Sequence, residues 1–397
     1  MPLAVYILGL AIFAQGTSEL MPAGLLPEMA ADLGVSVPDA GLLISAFAIG
    51  MLVGAPVLAV ATLRMPRRTV LTVFLGLFAL THVAGALTSS YAVLFATRVA
   101  GAFVYAGFWA VAAGTAVGLV PANSRAKAMS VLAGGLTVAS VIGLSGGTVI
   151  GQHLGWRAAF WLVAGLSVLA GVGVLATVPG GRPGAAAAPS VPAQLRAMAR
   201  PPLWLAYGTT ALTTSALLAS FSYLSPLLAE VTGLDAAWVP AVLALYGVGA
   251  LIGITFGGRI ADARPFAVMV AGVAGLVLTS AALGASAHLA VLAVPLVFLL
   301  GAFGFGTNPA LNARPLSLAH DAPTLAAAVN VSSFNVGITA GPWLGGLAID
   351  AGLGYPSVAW IGAALGVTAL AAVSLAALLH SRTSPAVPEI REIPSTL

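Results

Sequence analysis

Glu19 lies inside an otherwise apolar run, residues 13–21 (FAQGTSELM), and is the chain's candidate intramembrane carboxylate. An ionised acid in hydrocarbon costs at least ~2.5 kcal/mol, so Glu19 is expected to face a protected interior rather than lipid. Shielded from bulk water, such a group can bind and release a proton. The alternative is a hydrated, inert acid, since Glu19 lies about 6 residues, or ~9 Å, from the end of its apolar run. Arg98 is the matching cation. It enters its own run about 7 residues, or ~10 Å, from the same end, which places it level with Glu19. The two could pair, or Arg98 could bond carbonyls of the first helix and tune Glu19 without touching it, or it could simply clamp two helices.

Polar and aromatic residues in other apolar runs form a second group. Gln15 is one turn from Glu19 on the same face. Tyr105 and Trp109 follow Arg98 at i+7 and i+11. Phe221 and Tyr223 lie near Ser222 and Ser225, Asn308 and Asn312 share a run, and Asn330, Phe334 and Asn335 share the next. Amides and rings of this kind suit a neutral, partly apolar, aromatic ligand, although hydrogen bonding between helices explains any one of them equally simply. The five histidines are scattered without metal-ligand spacing and are expected at interfaces or in solvent, His82 near the outer end of its run included. The only lysine, Lys127, lacks a P-loop context, and the Gly-rich strings such as residues 301–306 follow no strand. No metal, nucleotide or other cofactor is expected, and no pair of catalytic carboxylates or His/Ser dyad stands inside the runs to suggest an enzyme.

The elements that would position these residues are long apolar helices. Sixty per cent of the 397 residues are hydrophobic and 7% are charged, against about 25% charged in a soluble domain. Twelve segments are long enough to span a bilayer: 3–25, 41–63, 70–87, 91–119, 128–150, 158–178, 203–228, 239–260, 266–285, 289–311, 325–349 and 358–379. With the N-terminus inside, 13 of the 15 Lys and Arg residues fall on the cytoplasmic side, Arg98 lies within a span and Arg157 alone lies outside. The positive-inside rule then places both termini in the cytoplasm. The basic balance, confined to short loops, gives no reason to expect nucleic acid as a partner. The first segment lacks a basic leader and a small-residue cleavage site, so it is expected to be a retained helix.

A Pro/Gly/Ala-rich stretch divides six segments from six. The expected organisation is a six-helix bundle over 1–179, a cytoplasmic linker over 180–201 carrying a short basic helix near 194–200, a second bundle over 202–380, and a tail over 381–397. The fold class is all-α, with twelve transmembrane helices in two pseudo-symmetric six-helix bundles. The tight basic turns after segments 2 (Arg64, Arg67, Arg68) and 8 (Arg259, Arg264) are a weak internal repeat.

These features resemble the major facilitator superfamily, and within it the twelve-helix drug:proton antiporters. Gly258 and Asp262 match the Gly and Asp of the superfamily's loop signature. The earlier loop keeps Arg64, Arg67 and Arg68 but has Ala59, Leu63 and Pro66 where Gly, Asp and Gly are expected. Arg98 resembles the family's intramembrane arginine, and residues 155–160 (GWRAAF) its loop between helices 5 and 6. In segment 5, Gly143 and Gly147 lie in the region of the Gly/Pro-rich antiporter motif, with Ser145 replacing its Pro, so less kinking is expected there. Residues 13–19 (FAQGTSE), 221–226 (FSYLSP) and 257–266 (GGRIADARPF) are similar to bacterial chloramphenicol-resistance exporters.

The resemblance implies alternating access, with proton coupling at Glu19 and Arg98. Drug would be bound by Gln15, Tyr105, Trp109, Phe221, Tyr223, Asn308, Asn312, Asn330, Phe334 and Asn335. Arg64, Arg67, Arg68, Gly258, Asp262, Gly143 and Gly147 would govern the conformational change. Partners would be a small-molecule drug, protons and the lipid bilayer of a bacterial inner membrane, with the proton gradient as energy source and the chain acting as a monomer. The rival readings are an exporter of a sugar or other metabolite and a membrane sensor.

Overall fold

The computed structural model describes residues 1–62, 65–121, 124–180, 200–261, 263–319 and 323–383. Among them the chain is helical, with no strand. The first half contains α1 (Leu3–Leu20, continuing into a 3-10 turn over Met21–Gly24), α2 (Leu26–Leu33), α3 (Val37–Ala61), α4 (Arg67–Leu87) and α5 (Tyr91–Gly118). It continues with α6 (Arg125–Val138), a π-turn over Ala139–Gly143, α7 (Leu144–Leu154) and α8 (Trp156–Thr177). The second half contains α9 (Pro201–Ser222), a bent extension over Leu224–Pro226 and Leu227–Val231, α10 (Val239–Ala261) and α11 (Pro265–Ser286). It ends with α12 (Ala290–Gly306), α13 (Asn308–Leu318), α14 (Pro323–Asp350) and α15 (Pro356–Thr383).

Each of the twelve expected segments overlaps helix among the described residues. Ten helices are long and apolar enough to cross a membrane among the described residues, or 11 if the bent pair after Pro201 is one span. The remaining long helix is α14. Its Asn330, Ser333 and Asn335 are buried polar side chains, so it is polar where it faces protein. Leu80, Val168, Leu278 and Val291 are exposed apolar residues on the outside of the bundle, as a lipid-facing surface requires. Turn residues fix the helix ends. Gly34 stops α2 in the left-handed conformation (φ 66), and Gly155 (φ 81) makes the corner between α7 and α8.

Small residues set the helix contacts. A Cβ on Gly50 or Gly54 of α3 would run into the Val99 or Phe103 carbonyl oxygen of α5. A Cβ on Gly249, Gly253 or Gly257 of α10 would meet the Phe298, Ala302 or Gly306 carbonyl oxygen of α12. Both rows repeat every four residues, the spacing that keeps one helix face in contact. The α3/α5 pair of the first half therefore has its counterpart in the α10/α12 pair of the second.

The halves meet at one end of the bundle. One apolar cluster mixes Leu26, Ala40, Ile44 and Leu144 of the first half with Phe221, Leu243, Tyr246 and Val358 of the second. The clusters near the chain termini stay within a half: Leu8, Leu71, Phe108 and Leu132 in one, Met269, Val273, Leu311 and Val373 in the other. Hydrogen bonds follow the same division. Ser45 Oγ donates to the Thr339 carbonyl (2.9 Å) and Gln152 Nε2 to the Ala236 carbonyl (3.0 Å), both across the halves and both far from the termini. Residues 181–199, most of the expected linker over 180–201 and of its short helix near 194–200, lie outside the described residues.

Candidate functional site

Helix α1 carries the centre of the site, and α6, the π-turn and α7 hold it in place. Gly143 lies so close to α1 that a Cβ there would collide with the Thr17 hydroxyl, and one on Gly147 would come within 3.0 Å of the Met21 Cβ. Segment 5 was expected to kink less because Ser145 replaces a Pro. It nevertheless leaves α-geometry, through the π-turn at Ala139–Gly143, and the Ser145 hydroxyl bonds back to the Val141 carbonyl (2.8 Å).

Glu19 is half-buried on this helix, between fully buried Ser18 and the partly buried Leu20 that packs on the cluster joining the halves. Arg98 lies level with it, 2% exposed. Its Nη1 donates to the Ser18 carbonyl (2.9 Å) and to Ser18 Oγ (2.8 Å), and its Nε to the Leu43 carbonyl (3.4 Å). The guanidinium carbon sits 4.3 Å from the centre of the Phe47 ring, a favourable cation–π position. Nη2 has no partner. Of the alternatives open from sequence, Arg98 adopts the second: it bonds the first helix beside Glu19. Its charge acts on Glu19 without an ion pair forming between the two side chains.

A residue that sequence reasoning left aside completes this group. His82 was expected at an interface or in solvent; it is 3% exposed and buried. Its Nε2 is 2.6 Å from Ser18 Oγ and its Nδ1 is 2.8 Å from the Phe78 carbonyl. Phe78 and Phe160 flank the imidazole at 4.3 and 5.5 Å. A histidine inside an apolar run is itself a functional signal, but Ser18 is 64 residues away and no spacing links the two.

The other first-half candidates gather around this centre. Gln15 is fully buried and neither its Oε1 nor its Nε2 has a partner. Tyr105 is 2% exposed, lies within reach of the Glu19 charge, and sits 6.0 Å from Phe47 ring to ring. Trp109 packs between the two apolar clusters of the first half.

The second-half candidates divide into three groups. Phe221 stacks on Tyr246 at 4.2 Å, and Tyr246 meets Phe305 edge-on at 6.0 Å. Tyr223 is fully buried, donates its hydroxyl to the Pro342 carbonyl (2.9 Å), and fills the space over Gly41 and Gly346. The amides form a tie nearer the termini. Asn330 accepts from Thr210 (3.0 Å) and donates to Asn312 Oδ1 (3.1 Å), while Asn312 donates to the Asn308 carbonyl (2.9 Å). Asn335 bonds its own helix at Val331 (2.9 Å), and half-buried Phe334 packs on the α11/α13/α15 cluster.

Among the conformational candidates, Arg67 donates to the Gly114 carbonyl (2.7 Å), Arg68 is half-buried, and Gly258 lies against the Pro309 ring. Arg64 and Asp262 lie outside the described residues. At the far end, Trp156 Nε1 (3.0 Å) and Arg157 both bond Asp32, and Arg157 also bonds the Thr88 carbonyl (2.9 Å). The Arg157 bond holds the Asp32 carboxyl below its ordinary range. This clasp ties α2 to the α4–α5 corner.

A polytopic helical bundle in two halves, with a half-buried acid and a buried arginine beside the cluster that joins them, is an arrangement suited to a membrane transporter. Residues 8–334 match the family model described as Major Facilitator Superfamily, and the chain belongs to that family. It is therefore a multi-pass membrane protein of a transporter family. It is 44% identical over 344 residues to a protein of Streptomyces lividans named "Chloramphenicol resistance protein", covering 86% of this chain and 88% of the relative. It is 35% identical to the Escherichia coli "Inner membrane transport protein YdhP", covering 95% and 97%. In fold it is similar to a bacterial homologue of the lysosomal transporter Spinster solved in an inward-facing, occupied conformation, with TM-score 0.76, 17% identity, and 96% and 98% coverage.

Proposed function

We propose that this protein exports a small amphipathic drug, chloramphenicol or a related phenicol, in exchange for protons. The observation that carries the reading is Glu19: a half-buried acid beside a buried arginine whose Nη2 is uncommitted, at the level where the two halves come together. The name of the Streptomyces relative supports the drug class. Because the basic loops lie at the end where the halves do not share a core, this conformation is read as open to the cytoplasm, with both termini on that side. Drug enters there and displaces the proton of Glu19. Glu19 then pairs with the Arg98 arm, and a proton from outside returns after the far end opens. Coupling follows only if drug and proton bind the two facing states differently.

The rival within transporters is export of another metabolite, favoured by the relative that is named only as a transport protein. Both are tested by gradient-driven uptake of chloramphenicol in proteoliposomes, comparing wild type with Glu19→Gln. The proposal expects wild-type uptake that stops when the gradient is collapsed, and no uphill uptake by the variant. Uphill transport by Glu19→Gln at the wild-type rate would remove Glu19 from the mechanism. A wild type without drug flux would favour the metabolite.

A further inference from the structure

The polar chain behind Glu19 has one consistent direction. The Phe78 carbonyl can only accept, so the His82 nitrogen 2.8 Å from it, Nδ1, carries the proton. Nε2 of a neutral imidazole is then an acceptor, and the Ser18 hydroxyl, 2.6 Å away, donates to it. Ser18 Oγ is left with its lone pairs toward Arg98 Nη1, 2.8 Å away. Arg98 donates to Ser18, Ser18 to His82, and His82 to the backbone of its own helix.

Ser18 departs from the habit of its neighbours. Thr17, Thr115, Ser145, Thr148 and Ser167 each donate to the carbonyl four residues earlier, at 2.7 to 2.9 Å. That back-bond is the default for a helical hydroxyl. His82 draws the Ser18 proton away from the default and turns Oγ to the arginine. With its Nη1 held twice on residue 18, Arg98 is fixed next to residue 19, its Nη2 still uncommitted.

We propose that His82 is a positioning residue for proton coupling, setting the Arg98 guanidinium against Glu19 through the Ser18 hydroxyl. Its ring nitrogens bond Ser18 and the Phe78 carbonyl, not Glu19. The charged group that acts on it is Arg98 on α5; Tyr105, also on α5, stands against Phe78, and α8 presents Phe160. The inference rests on the reading of Glu19 as the proton site, so its test has one arm that is independent of transport.

That arm is nitrogen-15 NMR of histidine-labelled protein in nanodiscs, with the His82 signals assigned by their loss in His82→Phe. The expected result is a neutral ring protonated on Nδ1, and a changed Nε2 resonance in Ser18→Ala. A proton on Nε2, or an Nε2 signal indifferent to Ser18→Ala, would overturn the network whatever the protein transports. The second arm is proton-driven drug uptake. His82→Phe keeps the ring volume between Phe78 and Phe160 but removes both bonds. It is expected to lower the maximal uphill rate about tenfold, the factor of one hydrogen bond to a charged group, with KM for the drug unchanged. His82→Gln keeps an acceptor for Ser18 and is expected to recover most of the rate. Ser18→Ala combined with His82→Phe is expected to cost no more than either alone. If Glu19→Gln abolishes uphill uptake while folded His82→Phe matches wild type, His82 has no positioning role. If Glu19→Gln transports normally, the proton-site reading fails and the NMR arm alone decides the network.

Discussion

Replacing Ser45 by Ala should shift the protein toward the state in which the far end is open. Ser45 is 4% exposed and its hydroxyl donates to the Thr339 carbonyl at 2.9 Å, from α3 of one half to α14 of the other. The bond exists only while the halves are closed there, and one such bond is worth about 1 kcal/mol net. At room temperature that raises the ratio of open to closed forms about fivefold. The chain has no cysteine, so spin labels can be placed without background. Ala31→Cys on α2 and Ala237→Cys before α10 are exposed and flank the closed end from opposite halves. In double electron–electron resonance the long-distance fraction should rise about fivefold relative to the short one in Ser45→Ala. Thr137→Ala is the control, since the Thr137 hydroxyl bonds only its own helix, at the Ala133 carbonyl (3.0 Å); it should change nothing. A Ser45→Ala distribution identical to wild type would refute the idea that this contact holds the halves together.

Three further outcomes follow from particular contacts. Gly253→Val should lower the melting temperature, because its Cβ meets the Ala302 backbone on α12, which cannot move aside as a side chain could; overpacking of this kind costs about 1–3 kcal/mol. Asn330→Ala should destabilise by about 1–3 kcal/mol in denaturant titration, since it leaves buried Thr210 without its cross-helix partner and breaks the α9–α13–α14 tie. For Asp32 the sign runs from a depressed folded-state carboxyl. Its bond to Arg157 contributes fully above the ordinary aspartate range, about 4, and is lost as pH falls below it. Asp32→Asn should therefore lower thermal stability by no more than about 1 kcal/mol at pH 7, by the same amount at pH 5, and by nothing once the wild-type carboxylate is protonated. Differential scanning in membrane mimetic across that range checks it.

The helices and the depth match of Glu19 with Arg98 were legible because both depend on distance along one chain. Apolar run length marks a span, and rise per residue converts position into depth. The amphipathic α2 falls between the first two expected segments, because eight residues cannot make a span. The helical count is less decisive for α14, where Asn330 and Asn335 trade hydropathy for contacts inside the protein. His82 was not legible because its meaning comes from Ser18 across a helix pair, and a hydropathy profile carries no information about which faces touch. The division of the candidate residues has the same cause. Gln15, Arg98 and Tyr105 gather near Glu19, whereas Tyr223 is committed to Pro342 and Asn330 to Thr210 and Asn312. From sequence all of these were simply polar or aromatic residues in apolar runs.

The most direct test of the central claim is proton release on drug binding. Purified protein in weakly buffered detergent is mixed with chloramphenicol while a pH indicator is followed, for wild type and for Glu19→Gln. Exchange at Glu19 predicts that wild type releases protons on binding and that Glu19→Gln binds drug with no release. Equal release from the two proteins would contradict it.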